Sequence, residues 1–404
     1  MERKRPEIVS PAGDWGSLRS AANAGADAVY FGVKGINMRH AASNFDVLEI
    51  AKVMNFLHEK GIKGYLALNV LVYNKELDKI KKILSAAKKG RVDAVILWDM
   101  AVFSYAREMG LKVHLSTQAS VSNVEALRFY CEQGAERIVL ARECSLSDMK
   151  SIMKQIEKEK INCSIETFVH GAMCVAISGR CFLSQQSFFK SANRGECLQP
   201  CRREYLVSDL GGESQYVMGR DYILSSKDLC AIDFLDKLIE AGIGAFKIEG
   251  RMRAPEYVSI VTSVYKDAVN AFYDGKLDDK AKKNFSKKLK GVFNRGFTSG
   301  FYFGVPNGLG KAERQKYDKI YIGEIKKYYA KIRVAEITAS GGEMKVGQKL
   351  LISGKKTPAS FMVIDEIQID HKPVNIVKKG NVAGVRMPFA GHRGDKVFLW
   401  KERP

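Results

Sequence analysis

No stretch of this chain approaches the ~20 consecutive apolar residues that a membrane span needs. Its basic opening, Met1-Glu-Arg-Lys-Arg-Pro6, leads at once into a short apolar segment. Neither a signal peptide nor an anchor is expected, and the cytosol is the expected compartment. Three catalytic signatures are also missing: a His-Glu-x-x-His helix, a Gly-x-Ser-x-Gly elbow and a Walker phosphate loop. Their absence removes the common zinc-protease, serine-hydrolase and P-loop readings. Histidine is scarce, with six in 404 residues. The pairing nearest a thiol, His170 with Cys174, sits four residues apart on one loop-like stretch, a weak arrangement for a Cys–His protease. Acid is in short supply as well: 45 Asp+Glu face 65 Lys+Arg, a net charge of +20.

That imbalance favours a polyanionic partner, because basic surfaces gain affinity for nucleic acid by releasing its counterions. The charge is uneven, with runs at Lys81-Lys82, Lys88–Arg91, Lys280–Lys290 and Lys311–Arg333. At 46% hydrophobic and 27% charged, with nine prolines, the composition is that of a globular chain. Its length is too great for one hydrophobic core, so two or three domains are expected.

The first 250 residues repeat one join, in which a helix stops at a glycine and a short apolar strand follows. Gly25–Phe31, Gly90–Ile96, Gly134–Leu140 and Gly242–Ile248 are four copies. The glycine supplies a left-handed helix stop, and the apolar run suits a strand buried on both faces. The pattern predicts eight strands, at Ile8–Ser10, Ala28–Phe31, Gly64–Asn69, Ala94–Leu97, Val113–Thr117, Arg137–Ala141, Ser164–Phe168 and Ala245–Ile248. Eight β–α units point to a (β/α)8 TIM-like barrel spanning 1–275. A long insertion, about 169–243, falls between the last two strands, where a barrel projects its loops from the C-terminal rim. Pro255–Tyr273 reads as a long amphipathic helix and 276–316 as a basic helical linker. From 317 to 404, short alternating runs punctuated by glycine predict a small C-terminal β-barrel, with RNA as its expected ligand.

The insertion holds half of the eight cysteines: Cys174, Cys181, Cys197 and Cys201. Their spacing is Cys-x6-Cys, then fifteen residues, then Cys-x3-Cys. Thiolates gathered this way suit a soft metal or an iron–sulfur cluster. Structural zinc sites more often use two close cysteine pairs, and only the second pair here fits. Unrelated buried thiols are the third reading. Cys230 is a candidate to replace one of the four, while Cys131 and Cys163 read as core residues. Polar residues gather at the strand ends: Asn69, Asp99, Gln118, Arg142, Glu143, Glu166, Glu249 and Arg251. Such positions face a barrel's pocket, although about half are expected to cap helices or pair with one another. Lys247, mid-strand in an apolar run, needs a carboxylate, with Glu166 or Glu249 the nearest candidates.

The segment Glu166-Thr-Phe-Val-His-Gly-Ala-Met-Cys-Val-Ala-Ile-Ser-Gly-Arg-Cys-Phe-Leu-Ser184 resembles the signature of the collagenase-like peptidase family of unknown catalytic type. Ser10-Pro-Ala-Gly13, Gly25–Gly32, Ser116-Thr-Gln-Ala-Ser120 and Lys247-Ile-Glu-Gly-Arg251 share the likeness. That family includes oxygen-independent hydroxylases, and the chain looks most like the prephenate-dependent group that makes 5-hydroxyuridine at the tRNA wobble position. The resemblance implies a 4Fe-4S cluster on Cys174, Cys181, Cys197 and Cys201, with Cys230 as an alternative fourth ligand. It also implies prephenate as a small carboxylate co-substrate, tRNA as partner, and an electron donor. Glu166, Arg142, Glu249 and Arg251 are then the candidate catalytic residues, the two arginines as forks for a carboxylate. A collagenase-like peptidase and a hydroxylase of a ribosomal RNA cytidine are the alternative functions within the same resemblance.

Overall fold

The computed structural model describes residues 5–203, 205–211, 215–218, 227–304 and 317–402. Seven parallel strands run in chain order: β1 (Glu7–Ala12), β2 (Ala28–Gly32), β3 (Lys63–Ala67), β4 (Ala94–Leu97), β5 (Val113–Leu115), β6 (Ala135–Val139) and β7 (Ser164–Ala172). An eighth, β8 (Ala245–Ile248), pairs with both β7 and β1 and closes the barrel. Each strand is followed by a helix: α1 (Trp15–Asn23), α2 (Ile50–His58), α3 (Leu77–Lys89), α4 (Met100–Glu108), α5 (Val124–Glu132), α6 (Leu146–Glu159), α7 (Leu235–Glu240) and α8 (Pro255–Tyr273). All eight strands expected from the sequence are present.

The repeated glycine join behaves as expected at three of its four copies. Gly25, Gly134 and Gly242 adopt φ of +83°, +100° and +83°, a region that costs most other residues a clash with their own Cβ. At the remaining copy Arg91 takes the left-handed turn, with φ +56°. Gly90 beside it is needed for space instead, since a Cβ there would lie 2.8 Å from the Ile50 side chain.

Alternation along the strands separates two cores. Residues such as Ile8, Val29, Phe31, Leu66 and Val95 face the helices, while Val9, Ala28, Tyr30, Tyr65, Ala94, Ile96 and Ala245 fill the barrel's interior. The interior also carries charge. Glu166 is fully buried and accepts from Lys247 Nζ at 2.5 Å and Arg137 Nη1 at 3.2 Å. Arg137 reaches on to Glu7 at 2.7 Å, so alternating charges are threaded through the middle of the barrel.

The cysteine-bearing insertion is shorter than the sequence suggests. Residues 169–172 prolong β7, and Asp228–Cys230 pair antiparallel with that extension before α7 resumes the barrel. The excursion proper therefore lies between 173 and 227. Beyond α8, helix α9 (Asp279–Lys290) packs on the barrel, and Leu289, Val292 and Tyr302 join its core. Residues 305–316, the rest of the expected linker, lie outside the described residues.

The C-terminal unit has strands β9 (Tyr317–Tyr329), β10 (Val334–Thr338), β11 (Lys349–Ser353), β12 (Ser360–Val363), β13 (Ile367–Ile369), β14 (Lys372–Val374), β15 (Val382–Arg386) and β16 (Lys396–Glu402). They form one antiparallel sheet in the order β12-β11-β16-β9-β10-β15-β13-β14. Met362 of β12 and Ile367 of β13 share a single core with Ile337, Ile352 and Val385, so the sheet curls around its own interior. No backbone ladder joins β12 to β14 among the described residues, and the curled sheet keeps two edges. It rests on the barrel through Lys319–Glu256 at 2.7 Å and Ala359 N–Ser20 Oγ at 2.9 Å. Among the described residues, no helix is long and apolar enough to cross a membrane.

Candidate active site

A cavity of about 230 Å3 opens at the C-terminal mouth of the barrel, where strand-end side chains of this fold converge. Of the polar residues expected there, Asn69, Gln118, Arg142, Glu249 and Arg251 line it. The others have structural roles. Asp99 caps α4 by accepting from Ala101 N and Val102 N, and Glu143 accepts from Ser178 N at 3.0 Å. Glu166 does not reach the cavity. Its carboxylate lies within the barrel between Lys247 and Arg137, and it holds Lys247, which does line the cavity.

Six arginines line the cavity, and Glu249 is the carboxylate among its lining residues. Arg39 forks onto Glu249, Nε to Oε1 at 3.2 Å and Nη2 to Oε2 at 3.0 Å. Arg142 approaches the same carboxylate at 3.6 Å and donates to Ala172 O at 2.9 Å. Burial pulls the Glu249 pKa upward, but Arg39, Arg142 and Arg251 together hold it below the usual carboxylate value. Arg251 is different. It is 4% exposed, and its Nη1 has no hydrogen-bond partner. Burial and the neighbouring Arg39 charge lower its pKa to about 10. The Nη1 nitrogen is packed against Gly32, while the guanidinium as a whole lines the cavity, where a charged donor group suits an incoming anion.

Cys174, Cys181, Cys197 and Cys201 all line the same cavity as free thiols. The Cys201 thiol is pushed up by burial and, against the opposing pull of Arg202, by the nearby Cys197, Cys174 and Cys181. The Arg39 pKa is raised chiefly by Glu249 and, against the opposing effect of burial, further by the nearby Cys174. The segment carrying the thiols is pinned to the rim from several sides. His40 N donates to Gly195 O at 3.0 Å, Leu71 N to Asn193 O at 3.2 Å, and Arg194 binds both Glu76 and Leu71 O. Gly195 has φ +86°, and a side chain there would run into the Asn37 carbonyl. Cys181 N donates to Asn193 Oδ1 at 3.0 Å, and Leu183 N to Cys181 Sγ at 3.3 Å. Among the described residues, no three His, Cys, Asp or Glu side chains are drawn together as a metal site. The donor set nonetheless suits a soft centre, with four thiols on one cavity.

Cys230 lies elsewhere. It is buried beside Tyr265, its thiol pushed up to about 12 by burial, and it is not among the cavity-lining residues. His170 faces Tyr265 and Phe297 behind the wall, its pKa lowered to about 3 by burial. No histidine is among the cavity-lining residues, so the cavity does not assemble the His170–Cys174 pairing. Tyr302 is a packing residue bonded to Thr167 and Phe168 O. Arg39, Arg202, Arg253 and Arg295 were not legible as site residues, because each sits on a loop whose course no periodicity reveals. The closest signal was Asn193-Arg-Gly195, a loop motif whose glycine is needed for the approach to Asn37.

The model of peptidase family U32 matches residues 13–312. The chain is 41% identical to an uncharacterized protease of Methanocaldococcus jannaschii, covering 98% of each. It is 38% identical to a collagenase of Porphyromonas gingivalis, again covering 98% of each. It is also 37% identical to the tRNA hydroxylation protein P1 of Bacillus subtilis, over 75% of this chain and 72% of that protein. On this match, carried through the barrel and its cysteine-bearing excursion, the chain belongs to peptidase family U32.

Proposed function

We propose that this protein is an RNA hydroxylase that converts uridine at the tRNA wobble position to 5-hydroxyuridine, with prephenate as oxygen donor. The observation that carries this reading is the meeting of four thiols with an unpartnered, buried Arg251 in one cavity. The likeness to a tRNA hydroxylation protein supports it, as does the net charge of +20. Cys174, Cys181, Cys197 and Cys201 would hold a 4Fe-4S cluster. When bound, such a cluster supplies electron-transfer chemistry.

The chain's own residues divide the remaining work. Arg251 receives a carboxylate of the co-substrate, because its guanidinium lines the cavity and, among the described residues, forms no ion pair with a carboxylate. Arg142 donates to Ala172 O and lies 3.6 Å from Glu249, so besides serving as the second candidate fork it positions Glu249. Glu249 keeps Arg39 and Arg142 oriented in a water-poor site, where their field on an anion is strongest. The target base leaves its stack to enter the cavity, as bases do when an enzyme acts on their ring atoms. An electron donor and a cytosolic location complete the reading.

A second reading, a collagenase-like peptidase, is favoured by the likeness to the Porphyromonas gingivalis collagenase. Among the described residues lining the cavity there is no histidine. Nucleoside analysis of tRNA from a strain lacking the gene separates the two. The hydroxylase reading expects 5-hydroxyuridine to disappear, to return with the wild-type gene, and not to return with Cys174→Ala. Unchanged tRNA in the deletion strain would reject it.

A further inference from the structure

Beyond the cavity's inner arginines, a second charged group stands at its rim. Asp228 is 1% exposed and is shared by Arg295 Nη1 at 3.3 Å and Arg253 Nη2 at 3.6 Å. Arg202 lines the same cavity and donates to Gln199 Oε1 at 2.8 Å and to Met173 O at 3.3 Å. One carboxylate therefore serves two guanidinium groups, and with Arg202 all three arginines line the cavity, so positive charge is in excess there. Against this group lies Phe293, 41% exposed, with the Arg253 and Arg295 guanidinium carbons 4.2 Å and 5.2 Å from its ring centroid. The segment leading to it is α9, which carries Lys287, Lys288 and Lys290 in its last turn.

An exposed aromatic ring beside excess positive charge is the pairing that holds single-stranded nucleic acid, since every base has a face to stack and every link a phosphate to bind. We infer that Phe293, Arg295 and Arg202 form a landing site for the RNA strand next to the target nucleotide. A neighbouring base stacks on Phe293, and the phosphate between that base and the target meets Arg295 and Arg202. The inference rests on the RNA-hydroxylase reading and gives that reading an entry path. It assigns the grip nearest the chemistry to the barrel rim rather than to the C-terminal sheet.

The test is fluorescence anisotropy with a labelled, unmodified tRNA transcript at several salt concentrations. The proteins compared are wild type, Phe293→Ala, Phe293→Trp and Arg295→Gln, each first checked for an unchanged melting curve. Phe293→Ala is expected to weaken binding by about 5- to 100-fold, and Phe293→Trp to restore it. Arg295→Gln is expected to lower the salt slope by about 1. Wild-type protein that binds tRNA in a salt-dependent way, with all three variants matching its affinity and slope, would overturn the landing site alone. Wild-type protein that does not bind tRNA would overturn the RNA reading and this inference with it.

Discussion

The Arg39 guanidinium closes on the Glu249 carboxylate as a two-toothed fork, at 3.2 Å and 3.0 Å, bringing the loop after β2 to the end of β8. Breaking the fork strands a largely buried carboxylate. Arg39→Ala is expected to cost about 3 kcal/mol, the low end for a broken buried pair, because Arg142 and Arg251 remain nearby. Chemical denaturation of the two proteins checks this.

The same carboxylates set an acid limit. Glu249 and Glu166 both titrate below their ordinary 4.5, despite burial, because arginines and Lys247 hold them charged. A carboxylate whose folded pKa is depressed adds stability that is full above the unfolded pKa and lost as pH falls through the folded one. Stability from these two groups is thus expected to be flat from pH 7 to about 5 and to fall below about 4.5. Glu249→Gln should flatten part of that acid limb. An identical acid limb in the variant would show that Glu249 contributes nothing to it.

Glu166→Gln removes the anion between Lys247 and Arg137 and leaves two buried cations side by side. A loss of roughly 3–5 kcal/mol is expected, larger than for any surface substitution on the barrel. Urea unfolding should show an earlier midpoint with an unchanged slope, the sign of altered stability rather than altered compactness.

The cysteines separate cleanly by place. After anaerobic reconstitution with iron and sulfide, Cys174→Ala and Cys201→Ala are expected to lose most bound iron, while Cys230→Ala keeps it. Iron retained in Cys201→Ala but lost in Cys230→Ala would exchange their roles. Gly195→Ala should lower iron content as well, since its new side chain meets the Asn37 carbonyl and the thiol-bearing segment must shift.

The barrel was legible because its signals are local and periodic. Strand β4 (Ala94–Leu97) and helix α8 (Pro255–Tyr273) appear at the residues their patterns mark. The curled C-terminal sheet was also readable from its alternation, though which strands would remain edges was not. The site was half legible. Arg251 and Glu249 follow a strand directly, so chain position predicts that they face the mouth. Glu166 also sits in a motif, yet β7 runs on to Ala172 and leaves it inside the barrel. Arg39, Arg202 and Arg295 are placed by loop geometry alone, which no spacing of residue types encodes. Lys247 shows the opposite case: an ammonium in an apolar strand demanded a carboxylate, and Glu166 supplies it at 2.5 Å.

The most direct test is an anaerobic reaction of purified, iron–sulfur-reconstituted protein with unmodified tRNA and prephenate, with a reducing agent supplied, followed by mass spectrometry of the nucleosides. Uridine gaining one oxygen at the wobble position, dependent on prephenate and lost with Cys174→Ala and Arg251→Gln, is the predicted result. Unmodified tRNA from fully reconstituted wild-type protein, alongside collagen cleavage that survives removal of iron, would contradict the account and favour the peptidase.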